Sequence, residues 1–589
     1  MALLRRHSRI FALLFVLAAA VAAPYCLPEN PEASVFRSGV FGALLLAGGL
    51  FPVQSALRRA DARTLACAMA VALPFALALS LGSELTVYGG LLPGLGSAIR
   101  RAAVPVLAAP MIGGLLTRAM LARLPAPDQA RRIPMAAFAL ALLLCWSPVL
   151  LSCFPGMLNY DFVGEYAQFR SGQYSAIHPL LYSALQSALL LLGERLHSAT
   201  FGLFLTTATR MLCLAFALAY GCAFAQRRGT PRWALLLMTA FFALHPVFSF
   251  LAVSTSKDVP FAAALLALTL LSWELLEDPD GFLRRKSRYA LFILMAVCTA
   301  HLRKNGLIAL ILLLSALIAA ARGARARVLG LSICAAIACA ALQAVLVLGL
   351  LPAQQPAGQL YSLPAQQLVR AYNVGEMADA DRAELEGWYL YPTGLTVHAH
   401  NADRAKNNLD QERLAGDGGG FLALWSRVAR SNRRPYAEAF LLLNMGLWYP
   451  GDVSHSEAYA GIDYDPYGYL EGNRCADELP ELQTVCLLPA VREWVEEIAR
   501  QNVHQKLPLL SLLFCTSTPF WVIAFASALF IARKRARALP AILGALGIWL
   551  SYFLGPCTLA RYVLPLFCLA PVLLCVALSA LPPTKEVSP

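Results

Sequence analysis

Residues 134–161, PMAAFALALLLCWSPVLLSCFPGMLNYD, run from an uncharged apolar segment into a polar stretch that ends on a carboxylate, Asp161. A helix of about 20 apolar residues crosses the hydrocarbon core of a bilayer. Residues 134–154 reach that length without one charged side chain. A carboxylate just past such a span is costly to hold there without a reason. It can meet a substrate whose tail lies in lipid and whose head lies in water.

The remainder of the chain repeats the same texture. Its 589 residues are 58% hydrophobic and 14% charged, with a mean hydropathy of +0.60, whereas an ordinary soluble protein is about 25% charged. Predicted spans fall at 10–26, 38–56, 66–82, 102–121 and 134–154, then at 200–225, 232–253, 259–275, 288–302, 305–321 and 327–350, and finally at 507–532, 538–556 and 562–580. The expected fold is an all-α polytopic membrane protein, a bundle of about 14 transmembrane helices.

A net charge of +13 would suggest nucleic acid in a soluble chain. Here the basic residues come in short clusters between apolar runs: Arg5, Arg6 and Arg9; Arg58, Arg59 and Arg63; Arg123, Arg131 and Arg132; Arg227, Arg228 and Arg232; Arg284, Arg285, Lys286 and Arg288; Arg322, Arg325 and Arg327; and Arg533, Lys534, Arg535 and Arg537. Under the positive-inside rule they mark cytoplasmic loops. The count puts both termini in the cytoplasm of a multi-pass cell-membrane protein and Asp161 outside it. All seven clusters fall inside in this count, and the pair Arg100-Arg101, left outside, is the exception to it. Nucleic acid is not an expected partner; membrane lipid is.

Four regions follow. Residues 1–133 form an N-terminal four-helix membrane region, and 134–351 a membrane core that carries an external loop at 155–200. Residues 352–506 form a small α-rich extracytoplasmic domain, and 507–589 a C-terminal three-helix region. The apolar run Pro179–Leu192 is short and precedes Gly193-Glu194-Arg195, so it reads as an interfacial helix rather than a span. The Gly416–Gly420 stretch reads as a flexible break, since no Lys-Ser/Thr follows it to make a phosphate loop. Cys475 and Cys486 lie in the external region, as a disulfide or as two free thiols.

Polar residues gather at the outer rim: Asp161 with Glu165 four residues on and His178; Lys257-Asp258; Arg303-Lys304-Asn305; Gln366, Gln367 and Arg370; and Arg561-Tyr562. Cations there run against the positive-inside bias and ask for a local anion. A lipid phosphate fits that depth. Lys257, Arg303, Lys304 and Arg370 are the expected phosphate ligands, and Asp161 the general base. Glu165, His178, Asp258, Asn305, Gln367, Arg561 and Tyr562 are expected substrate contacts. Each has a plainer reading: a cap or local pair for Asp161, neighbouring charges for Lys257 and Asp258, headgroup anchors for Arg303, Lys304, Arg561 and Tyr562, and a structural role for His178.

The arrangement resembles the GT-C superfamily of integral-membrane glycosyltransferases, in which an external Asp follows a core membrane helix and juxtamembrane helices come next. Within it the chain looks closest to a poorly characterised bacterial family with Pro-Gly before Tyr-Asp, a His-Pro opening the next helix, an external Lys-Asp, Arg-x-Asn-Gly, Pro-x-Gln-Gln-x-x-Arg and Arg-Tyr-x-x-Pro. This chain carries Pro155-Gly156, Tyr160-Asp161, His178-Pro179, Lys257-Asp258, Arg303-Lys304-Asn305-Gly306, Pro364 through Arg370, and Arg561 through Pro565, spread over about 134–580. It departs in having Glu165 where Gln is usual and Ile177 where a second His is usual. The resemblance implies an inverting hexosyl- or pentosyltransferase. It would move a sugar from a polyprenyl-phosphate donor to a glycan, glycolipid or protein of the cell envelope. Superfamily members often hold a metal on a second acidic residue. Here Asp161 has only Glu165 one turn away, so a divalent cation stays open and no metal ligand is assigned. A transporter or flippase of lipid-linked glycans, or a glycan polymerase or ligase, is the alternative.

Overall fold

A computed structural model describes residues 1–26, 39–125, 132–158, 160–353, 357–397, 399–451, 479, 482, 485–501 and 510–579. It is a helical membrane protein, with isolated bridges and no strands among those residues. Four helices open the chain: α1 (Ser8–Ala22), α2 (Gly39–Arg59), α3 (Ala62–Tyr88) and α4 (Leu95–Leu121). The core follows with α5 (Met135–Ser152), α6 (Tyr160–Ser171), α7 (Leu180–Leu196) and α8 (Ala199–Arg227). Next come α9 (Arg232–Leu244), α10 (Pro246–Val253), α11 (Asp258–Glu277), α12 (Lys286–His301), α13 (Gly306–Ala320) and α14 (Arg325–Leu350). After the insertion come α15 (Thr518–Ala532), α16 (Leu543–Ser551) and α17 (Ala560–Leu578).

Among the described residues each of the fourteen expected segments is mainly helical, but they are not equal. Among the described residues ten helices are long and apolar enough to cross a bilayer, and α9–α10, bent by 50° at His245, makes an eleventh if counted as one span. The remaining three, α12, α13 and α15, have 16, 15 and 15 residues, short of the roughly 20 that a 30 Å core takes. The physical reason is visible for α12 and α13. Their connection is the polar Arg303-Lys304-Asn305, which is pulled in toward Asp258 and Ser551 instead of lying a further turn out.

Helix α11 lies at the centre. Its apolar window is 83% buried, against 17% for the lipid-facing α14, and it packs against α8, α12 and α17. A helix enclosed on all sides is apolar on all sides, and only its two ends carry charge. The exceptional pair Arg100-Arg101 is accounted for: Arg101 bonds the buried Glu84 of α3 at 2.7 Å, with Arg100 at 4.0 Å, tying α4 to α3.

The insertion builds its own helical core, with Leu368, Leu385, Trp388, Phe421 and Leu424 fully enclosed. The glycine run does interrupt its helix. Two helical stretches within Gln411–Ser431 meet at a kink at Asp417, whose backbone is not helical. Trp388 and Tyr449 are buried, and Tyr449 packs on Leu85 of α3. Cys475 lies outside the described residues, so its pairing with Cys486 does too.

Candidate functional site

Segment 154–158 is threaded between two helices before α6 begins. Met157 donates its N–H to the Val253 carbonyl at 2.9 Å, and Thr255 returns one to the Met157 carbonyl at 2.9 Å. A Cβ on Gly156 would stand 2.3 Å from Thr207 Oγ1 and 3.1 Å from the Val253 carbonyl, so only glycine fits this approach. The lacing sets the start of α6 beside the start of α11. Along α6, Asp161 and Glu165 share one face by their i,i+4 spacing, while Phe162 and Tyr166 turn to a buried cluster with Leu190 and Leu203. Asp161 in the first turn also suits the helix dipole.

Lys257 stands at the centre. Its Nζ lies 2.9 Å from Asp161 Oδ2, 3.1 Å from His178 Nδ1 and 3.7 Å from Glu165 Oε1. The ammonium thus fills the place between two carboxylates and an imidazole where a divalent cation was left open. Among the described residues no cluster of three His, Cys, Asp or Glu side chains suits a metal. Arg561, from the first turn of α17, reaches the same Asp161 Oδ2 at 3.1 Å and Asp258 Oδ2 at 3.7 Å. Asp258 is fully buried, takes the Ser256 hydroxyl at 3.2 Å and pairs with Arg303. The Arg303 guanidinium lies over Tyr562 at 4.3 Å and Tyr552 at 5.0 Å. Gly306 permits this turn, since a Cβ there would meet the Thr299 carbonyl at 1.7 Å. Cations and carboxylates alternate, from Glu165 through Lys257, Asp161, Arg561 and Asp258 to Arg303.

Burial works against charge on Asp161, but Lys257 and Arg561 outweigh it and hold its carboxyl well below the usual carboxylate range. One turn on, burial pushes Glu165 up to about 7, with Asp161 adding to the rise against the pull of Lys257. Burial and Lys257 bring His178 down to about 4, so its neutral ring accepts from the ammonium at Nδ1. Burial and Lys257 also lower Lys304.

From this centre a cavity of about 600 Å³ opens between α12, α13 and α14. Its polar end holds His178, Arg303 and Lys304; its walls are aliphatic, with Leu310, Leu314 and Leu346 among them. A charged mouth with an apolar channel behind it suits an anionic head on a hydrocarbon chain.

Of the expected site residues, Asp161, Glu165, His178, Lys257, Asp258, Arg303, Arg561 and Tyr562 come together here, with Lys304 on the cavity rim. Asn305 turns to Ser551, donating at 2.9 Å, and serves the loop. Arg370, expected on the donor phosphate, is committed elsewhere. It bonds Glu438 and the Gly89 carbonyl, both at 2.8 Å, while Glu438 accepts from Leu91 N–H at 3.0 Å. This clamp joins the insertion to the α3–α4 loop. Gln367, expected on the substrate, donates to the Tyr436 carbonyl and accepts from Trp425. Among the described contacts, none links either residue to Asp161.

Gln186, which donates to Glu165 Oε2 at 3.1 Å, escaped sequence reading, as did Tyr182, whose hydroxyl donates to the Thr255 carbonyl at 2.9 Å. A signal was present. Tyr182, Ser183 and Gln186 recur at helical spacing within an apolar run, and all three lie on the buried face of α7.

A family model matches residues 170–581, most of the chain. The protein belongs to DUF6020, a family of unknown function. The DUF6020 match takes in His178, Lys257, Arg303 and Arg561, and begins nine residues after Asp161. Searches of curated proteins and of solved structures returned no match.

Proposed function

We propose that this DUF6020 protein is an inverting membrane glycosyltransferase of the GT-C type, with its site on the extracytoplasmic face and both termini in the cytoplasm. The observation that carries the reading is the convergence of Asp161, Lys257, Arg303 and Arg561 beside an apolar cavity whose charged end holds His178, Arg303 and Lys304. A polyprenyl-phosphate sugar donor would lay its chain along α12–α14 and its phosphate against Arg303 and Lys304, with Lys257 and Arg561 drawn toward it.

That movement matters to the chemistry. With two cations on one oxygen, Asp161 is too acidic to be a good base. As the lipid phosphate draws those cations off, the carboxylate regains basicity when the donor is present. The acceptor hydroxyl then attacks the anomeric carbon. A new C–O bond forms, the bond from that carbon to the phosphate oxygen breaks, its electron pair leaves with the lipid phosphate, and the hydroxyl proton passes to Asp161. Configuration inverts. The acceptor belongs to a cell-envelope glycan, glycolipid or protein.

The test is reconstitution with polyprenyl-phosphoryl sugars and a hydroxyl acceptor. Sugar transfer by the wild type and its loss in Asp161→Asn are expected; full transfer by that variant removes Asp161 as base. A second reading, a transporter of lipid-linked glycans, is favoured by the bend at His245, since broken helices mark many transporters. Movement of a lipid-linked glycan across vesicles without sugar transfer, unchanged in Asp161→Asn, would establish it instead.

A further inference from the structure

A second cavity, of about 450 Å³, lies on the other side of the first turns of α7, between α7, α8, α11 and α12. Its lining is almost entirely apolar, with Leu185, Phe216, Ala263, Ala267 and Met295 among the wall residues. One cation faces it. Arg210, midway along α8, is 4% exposed. No ion pair is found for it among the described residues. Its contacts are long ones to neutral hydroxyls: Tyr182 at 3.4 Å, Thr206 at 3.4 Å and Thr207 at 3.3 Å. Its Nε has no partner, and Gln186 Oε1, also on this cavity, has none.

The Glu165 carboxylate feels the charge of Arg210 without reaching ion-pair distance, and a buried guanidinium with no paired carboxylate is unfavourable unless an anion completes it. The other buried arginines of this region have theirs: Arg303 and Arg561 hold Asp258 and Asp161. The cavity offers Arg210 an apolar channel of the kind that a lipid chain fills, and one charge for one anionic head. It is also wired to the centre, since Gln186 donates to Glu165, which lies 3.4 Å from His178 and 3.7 Å from Lys257. The two cavities flank α7 and direct two polar ends at one group of residues.

We propose that this second cavity takes a single-chain lipid whose phosphate pairs with Arg210, and that this lipid carries the acceptor. The inference rests on the transferase reading and narrows its acceptor to a lipid-linked one. Charge complementarity favours this occupant over a neutral lipid, and the single cation favours one phosphate.

The experiment counts geranylgeranyl phosphate bound to the full chain in detergent micelles by native mass spectrometry. Two molecules per chain are expected for the wild type. Arg210→Gln and the cavity-filling Ala267→Trp should each weaken one binding event at least tenfold, leaving the other intact. Arg210→Lys, which keeps the cation, should retain both. Leu310→Trp in the first cavity should remove the complementary event. One molecule bound to the wild type overturns the proposal, and so do two bound to Ala267→Trp. Geranylgeraniol and inorganic phosphate are the controls for chain and head alone, and binding of either as tight as the whole lipid also overturns it. Displacement from the Arg210 site by an equal amount of phosphatidylglycerol shows a site for bulk phospholipid and overturns it too. The count needs no turnover: two lipids bound without sugar transfer sinks the transferase reading alone, and transfer with one lipid bound sinks this one alone.

Discussion

At one end of α11, Asp258 is fully buried with Arg303 and Arg561. At the other end, Glu274 and Glu277 meet Arg227, Arg228 and Arg288, and nearby Arg327 meets Asp280 with 54% and 63% of the two side chains exposed. The second end is a basic rim of partly open pairs, where each ion pair is worth about 0–1 kcal/mol. The first end removes its charges from water at a cost that such pairing seldom repays in full. A membrane protein needs the basic rim for orientation. It has no such need for the buried cluster, which is why chemistry is assigned there.

The strongest attempt to break this contrast is Asp161→Asn. On the proposed mechanism it lowers the sugar-transfer rate about 10³-fold, the middle of the range for a general base, read from single-turnover transfer in proteoliposomes. An effect below about tenfold would leave the cluster structural. Next in size is Asp258→Asn, which strips Arg303 of its buried partner and should cost about 3–5 kcal/mol of stability. Thermal unfolding in detergent reads it, and an unchanged midpoint would mean that the pair is solvated.

Glu165 gives a pH signature. Its carboxyl rises from 4.5 to about 7 on folding, so between those values the folded state binds more protons than the unfolded one. Stability from this group is therefore present below about pH 4.5 and is lost as pH rises toward 7. Glu165→Gln should remove that decline, by up to about 3 kcal/mol. His178, lowered from 6.5 to about 4, slopes the opposite way, so the comparison is made in a His178→Gln background. Parallel curves with and without Glu165 would show that it is not protonated in the fold. The smallest effect is expected at the far end. Arg327→Gln should change stability by less than about 1 kcal/mol and leave transfer untouched; a larger loss would erase the contrast between the ends.

Much of this was legible in the chain. Asp161 and Glu165 stand one helical turn apart, so their shared face follows from spacing alone. Lys257-Asp258 and Arg303-Lys304 stand at helix ends, where polar residues between apolar runs must fall. The error at Arg370 is instructive. Like Arg303 it stands outside a membrane helix with polar neighbours, but Glu438 and the Gly89 carbonyl claim it. Which carboxylate an arginine finds is decided across 68 residues of chain, and no local pattern encodes that. Helices α12 and α13 are shorter than hydropathy suggests for a related reason: hydropathy counts apolar residues, and it does not see a polar turn drawn inward by Asp258.

By itself the sequence determined the membrane class, the helical character of every expected segment and the short-range pairing of charge with helix ends. These depend on transfer from water to lipid and on a fixed helical period, both local properties. Only the tertiary structure decided that Arg561 meets Asp161 across 400 residues, that Lys257 sits between both carboxylates, and that Arg210 faces a cavity with no ion pair among the described residues. Those depend on how helices pack, which is a property of many contacts at once.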